Sequence, residues 1–265
     1  MNPGATDEYA PAVYDPVVVA ELVTELVMLL KYVNEKVVQH YGDALTDHAA
    51  GHLRRVAAAS LIRVPNSLNA VIRLGKGKLG LEAHTIVRTI VEMAIALCWV
   101  GLDEKRAQAI WDKSVEDFTK GIDRAREHQP APQQIADWMA ELRSTQAGTN
   151  RPSVKRMAAE ALDTPELQGC RMAKQLYDFL YDPLSAASHG DLRFARLVLN
   201  GGDAAFVSSA FVYAAGATEF LLIAASAQLG FRPDLEDFLR VKRDAIREAK
   251  ADLSAADAST PRTIR

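Results

Sequence analysis

The sequence has little cysteine, almost no strand signal and no excess of charge of one sign. Two cysteines, Cys98 and Cys170, stand in 265 residues. Both fall within helical apolar patterns, so they read as buried thiols and not as a disulfide framework. No β-branched run alternates with polar residues, which argues against a sheet. A net charge of −3 gives no general pull toward nucleic acid, although it allows a local basic patch. The opening residues MNPGATDEYAPAVYDP hold neither a basic region nor an apolar core of signal-peptide type, so a cytoplasmic location is expected. The stretch 204–231 is long enough to cross a bilayer and carries one charge, Glu219. Its wealth of Ala, Ser, Thr and Gly, with no basic cluster before it, favours a buried central helix and no membrane partner.

What the sequence does hold is helical periodicity. Asp15-Pro16 caps a first helix from Val17 to about Tyr41, with apolar residues at Val18, Leu22, Leu26, Leu29, Leu30, Val33 and Val37. A second helix is expected from about Thr46 to Arg63, broken by Pro65 and resumed to Leu74. Gly75 to Gly80 is a basic, glycine-containing connection that lacks the order of a phosphate loop. An apolar helix from Gly80 to about Gly101 follows. Asp103 then caps an amphipathic helix to about His128, and Pro130 and Pro132 separate it from a short helix ending near Leu142. Ser144 to Asn150 reads as a polar loop. Pro152 and Asp163-Thr164-Pro165 open two more helices, the second reaching about Tyr181. After the Asp182-Pro183 interruption, helix resumes to His189 and ends at Gly190. The long neutral helix and a charged amphipathic helix after Pro233 close the chain. The expected fold is a single all-α domain of about eight to ten helices over residues 15–255, with flexible termini at 1–14 and 256–265.

Two short patterns carry the candidate chemistry. Arg88-x-x-x-Glu92 and Ser185-x-x-x-His189 each place two polar residues one helical turn apart in an apolar stretch. Unpaired polar groups are costly there, so a polar cluster is expected where the two helices meet. His84 precedes Arg88 by four residues, Tyr181 precedes Ser185 by four, and Asp191 and Arg193 follow His189. Three readings of this cluster stand side by side. It is a hydrogen-bond network that fixes helix register, with Glu92 pairing Arg88 or Arg88 reaching across to the second motif. Or it cleaves RNA without metal, the histidine moving a proton while Arg88 or Arg193 holds the phosphate. Or His84, Glu92, His189 and Asp191 bind a metal, although the Glu-x-x-His pairs of helical metal sites are missing. The catalytic candidates are therefore His189, Arg88, Glu92 and Ser185. Asp191, Arg193, His84 and Tyr181 are the candidates for contacting substrate, and no metal or other cofactor is expected. Trp99, Trp111 and Trp138 read as core or interface anchors, and Arg54, Arg55, Arg63 and Arg73 as a basic face near the glycine-containing turn.

From about Leu61 to Phe118, and again from about Leu176 to Arg193, the chain resembles a bacterial all-helical family of unknown function. The resemblance rests on the Gly75–Gly80 turn, Arg88-Thr-Ile-Val-Glu92, Ile110-Trp111, Tyr181-Asp-Pro-Leu-Ser185 and Ser188-His189-Gly190. It implies an all-α fold and the importance of Arg88, Glu92, Ser185 and His189, and brings no activity with it. A looser similarity is to the HEPN helical ribonucleases and toxins of prokaryotic defence and toxin–antitoxin systems. Their Arg and His lie a few residues apart in one helix. Here no Arg precedes His189 at that spacing, so Arg88 would take the part from another helix. That similarity implies RNA as a partner. The alternative function is a non-catalytic helical scaffold that binds a protein partner or forms a homodimer.

Overall fold

The computed structural model describes residues 15–45, 51–126, 132–161, 173–182, 184–185 and 206–259, and these contain nine α-helices and no strand. The helices are α1 (Pro16–Leu45), α2 (His52–Lys76), α3 (Gly80–Val100), α4 (Glu104–Arg126), α5 (Gln133–Ser144), α6 (Val154–Glu160), α7 (Ala173–Leu176), α8 (Phe206–Leu229) and α9 (Arg232–Ser259). A π-helical turn, Tyr177–Tyr181, continues α7.

Local chemistry sets several of these boundaries. The Asp15 carboxylate accepts from the backbone N–H groups of Val17 (2.8 Å) and Val18 (3.3 Å), satisfying donors that the first turn of α1 leaves open. Asp103 does the same for α4 through Lys105 (2.8 Å) and Arg106 (3.3 Å). Ser153 caps α6. The start of α2 is capped from elsewhere: the Glu104 carboxylate accepts from the backbone N–H groups of His52 and Leu53.

Pro65 does not break α2, contrary to expectation. A proline inside a helix costs about 3 kcal/mol through its lost hydrogen bond and ring clash. Here Pro65 is itself buried, within a face formed by Leu61, Val64 and Leu68 that packs into the core. Each such side chain gains roughly 1.5–3 kcal/mol on burial, enough to carry the helix through. Where α2 ends, Gly75 lies against the ring of Phe211 on α8, so closely that a Cβ at this position would overlap the ring.

The centre of the bundle is the pair α3 and α8, which make the most extensive helix contact, with α1 and α2 packed around them. Both central helices are apolar on nearly every side, the pattern of a helix enclosed by neighbours. By length and composition both could also cross a membrane. Gln228 of α8 ties their ends, donating to the carbonyls of Leu97 (3.3 Å) and Gly101 (2.8 Å) at the close of α3. Cys98 is buried; Cys170 lies outside the described residues.

One loop is also fixed from within. Asp112 of α4 is buried and accepts from the Gln108 amide (2.6 Å), the backbone of Ala147 (3.2 Å) and Thr149 (2.8 Å), and the Thr149 hydroxyl (2.7 Å). This pins the segment after α5 against α4 and so sets where Arg151 can reach.

Candidate functional site

On α3 the polar residues His84, Arg88 and Glu92 step by four. Each step turns the helix by about 40° beyond a full turn, so eight residues rotate roughly 80° and advance roughly 12 Å. The three side chains therefore meet three different neighbours.

His84 is buried against α8. Its Nδ1 lies 2.7 Å from the Gly80 carbonyl oxygen and its Nε2 lies 3.1 Å from the Ser209 hydroxyl. The rings of Phe206 and Tyr213 meet it edge to face. Placed this way, His84 joins α3 to α8.

Arg88 meets Tyr181, four residues before Ser185 of the second motif. Its Nη2 donates to the Tyr181 hydroxyl at 3.3 Å, and its guanidinium carbon lies 5.2 Å from the centre of the Tyr181 ring. Tyr181 in turn stacks on Tyr177, with ring centres 5.4 Å apart and planes 25° apart. Both tyrosines belong to the π-helical turn, whose wider winding brings their rings together from consecutive turns. The Tyr177 hydroxyl pKa is raised, first by burial and then by the neighbouring Asp182 carboxylate. Ser185 is half-buried and helical, beside the buried Leu184. His189, Asp191 and Arg193 lie outside the described residues.

Glu92 turns elsewhere. Its Oε1 accepts from Arg151 Nη2 at 2.6 Å. Arg88 and Glu92 thus each have a distant partner instead of each other. Arg151 was missed in the sequence because nothing in its neighbourhood marks it. It follows a polar loop that bonds from Thr145, Gln146, Ala147 and Thr149 to α4 hold in place.

This division leaves Arg88 with a phenol and a ring face as partners and no carboxylate among the described residues. Its Nε is buried without a hydrogen-bond partner among the described residues. A guanidinium without a carboxylate partner suits recognition of a phosphate or carboxylate. Of the metal reading, His84 and Glu92 are engaged with different neighbours, and no group of three possible ligands occurs among the described residues.

No curated protein and no solved structure matches the chain. A family model does, over residues 54–204, more than half the chain. The matched stretch runs from the start of α2 to just before α8 and includes Arg88, Glu92, Arg151, Tyr181 and Ser185. The chain belongs to this family, a family of unknown function (DUF5677).

Proposed function

We propose that the protein binds RNA phosphate at Arg88 and cleaves RNA without a metal, in the manner of HEPN-type ribonucleases and toxins. The observation that carries this reading is the Arg88 guanidinium, which meets Tyr181, four residues before Ser185, and has no carboxylate partner among the described residues. In the proposed reaction the ribose 2′-hydroxyl attacks its own phosphorus. The 2′-oxygen–phosphorus bond forms and the bond to the 5′-oxygen breaks, leaving a cyclic phosphate and a 5′-hydroxyl. His189 exchanges the protons, taking one from the 2′-hydroxyl or giving one to the leaving oxygen. Arg88 stabilises the extra negative charge on the phosphate oxygens. Ser185, one turn before His189, supplies a hydroxyl to the same group, and Arg193 and Asp191 contact the strand. The reading takes the protein as cytoplasmic, with RNA as its partner and no membrane.

The test is growth on induction of the wild type and of His189→Ala, with total RNA taken from the same cells. Growth arrest with RNA cleavage in the wild type alone is the expected result. Normal growth and intact RNA in both contradict it.

A second reading has its own observation. Phe118 of α4 and Trp138 of α5 pair edge to face with ring centres 5.2 Å apart, yet are 40% and 49% exposed. An exposed aromatic pair suits a helical scaffold that docks a protein partner or a second copy. On that reading the induced protein leaves RNA intact and the Arg88–Tyr181 contact serves only to hold the π-helical turn on α3.

A further inference from the structure

Glu92 and Arg151 also border a cleft of about 500 Å³ between α2, α3 and α4, a size ordinary for a small-molecule site. Its origin lies in the helix stripes that form its walls. Val56, Ala59, Ser60 and Arg63 follow i, i+3, i+4, i+7 spacing on α2, and Thr89, Glu92, Met93 and Ala96 repeat that spacing on α3. Such stripes normally meet through large aliphatic side chains. Here half are Ala, Ser or Thr, too short to close the seam, so a gap remains that Trp111 of α4 bounds.

The lining has a definite polarity. The Ser60 and Ser114 hydroxyls donate to the Val56 and Ile110 carbonyls, both at 2.9 Å, and so act toward the cleft only as acceptors. The Trp111 indole N–H is taken by the Thr145 hydroxyl at 2.9 Å, so the indole offers the cleft no donor, and the Arg55 guanidinium lies 5.8 Å from the ring centre. Arg151 is tied to Glu92. Arg63 has no carboxylate partner among the described residues. Two cations and one anion give the cleft a net positive charge, with Arg63 as its unmatched donor.

We propose that this cleft binds a small organic anion, a flat apolar ring bearing one acidic group. The acidic group pairs with Arg63, and the ring fills the gap over Trp111 and Met93. The site is separate from the Arg88–Tyr181 contact and does not depend on RNA cleavage.

The test uses the full chain with two fluorescent probes of similar shape, anilinonaphthalene sulfonate and its uncharged counterpart phenylnaphthylamine. The wild type is expected to bind the sulfonate saturably. Ala59→Leu, which fills the gap, is expected to abolish that binding. Thr89→Leu serves the same purpose if circular dichroism shows that Ala59→Leu is unfolded. Arg63→Gln is expected to weaken the sulfonate about tenfold and to leave phenylnaphthylamine unchanged. The proposal is overturned if saturable sulfonate binding is absent or survives the filling variants. It is overturned equally if Arg63→Gln has no effect or weakens both probes alike.

Discussion

The two flanks of the bundle treat positive charge in opposite ways. Where α1 meets α9, the lysines are buried and matched. Lys36 pairs with Asp234, donates to Gln39 (3.0 Å), and lies over the rings of Tyr32 (5.2 Å) and Phe231 (5.7 Å). Lys242 sits between Glu25 of α1 and Glu219, the lone charge of α8. Burial pushes the Lys242 pKa down, but hydrogen bonds and charge from Glu219 and Glu25 outweigh it and the net shift is upward. Along α2 and α3, by contrast, Arg63 and Arg88 have no carboxylate among the described residues. Charges that serve folding are neutralised where they are buried, because an uncompensated one is too costly. Arg63 at the cleft and Arg88 beside the π-helical turn are the charges proposed to meet an outside anion.

The sharpest way to break this contrast is at Lys242. Lys242→Ala leaves Glu25 and Glu219 facing each other without a counter-charge, and urea unfolding should show a loss of about 3–5 kcal/mol. The sign with pH follows from the raised pKa. The contribution is complete below the ordinary lysine value near ~10.4 and is lost as pH rises through the higher folded value. Wild type and variant should therefore converge only in strongly alkaline solution.

Asp112 extends the rule to a buried anion and should show a smaller effect. Burial pushes its pKa up, but bonds from the Thr149 side chain and backbone, Gln108 and Ala147 outweigh this and hold it low. Asp112→Ala should cost about 2–3 kcal/mol, because several donors lose one acceptor. With a lowered folded pKa, the stabilisation is present above the unfolded value near ~3.9 and lost as pH falls through the folded one. Thermal melts across this range should show the wild-type advantage shrinking below about pH 4.

The fold was largely legible because its signals are local. Asp15 and Asp103 act as caps where their positions imply, and the all-α architecture follows from periodicity alone. Pro65 misled because its local cost is outweighed by burial that only the assembled core supplies. The site was legible in part. Arg88 meets Tyr181, whereas the partners expected for it were Glu92 or the Ser185–His189 motif. Glu92 does not join them, because four-residue spacing drifts around a helix and its partner Arg151 is delivered by a loop held through Asp112. The cleft left no sign in the sequence beyond Ala and Ser at positions that usually hold leucine, which reads as ordinary helix until two such stripes face each other. Trp138 reads as an anchor by its spacing, yet half its surface is exposed.

Arg88→Gln lies at the small end of the stability scale and the large end of the functional one. It removes one hydrogen bond and one cation–ring contact, together about 1 kcal/mol, which shifts the melting temperature by roughly 2–4 °C in a chain of this size. The most direct measurement is cleavage of a labelled single-stranded RNA by the purified wild type and by Arg88→Gln, with a metal chelator present and melting temperatures taken on the same samples. Cleavage by the wild type that disappears in a variant of nearly unchanged stability is the predicted result. A wild type that leaves the RNA intact, a variant that cleaves as fast, or a variant destabilised as severely as Lys242→Ala would contradict the account.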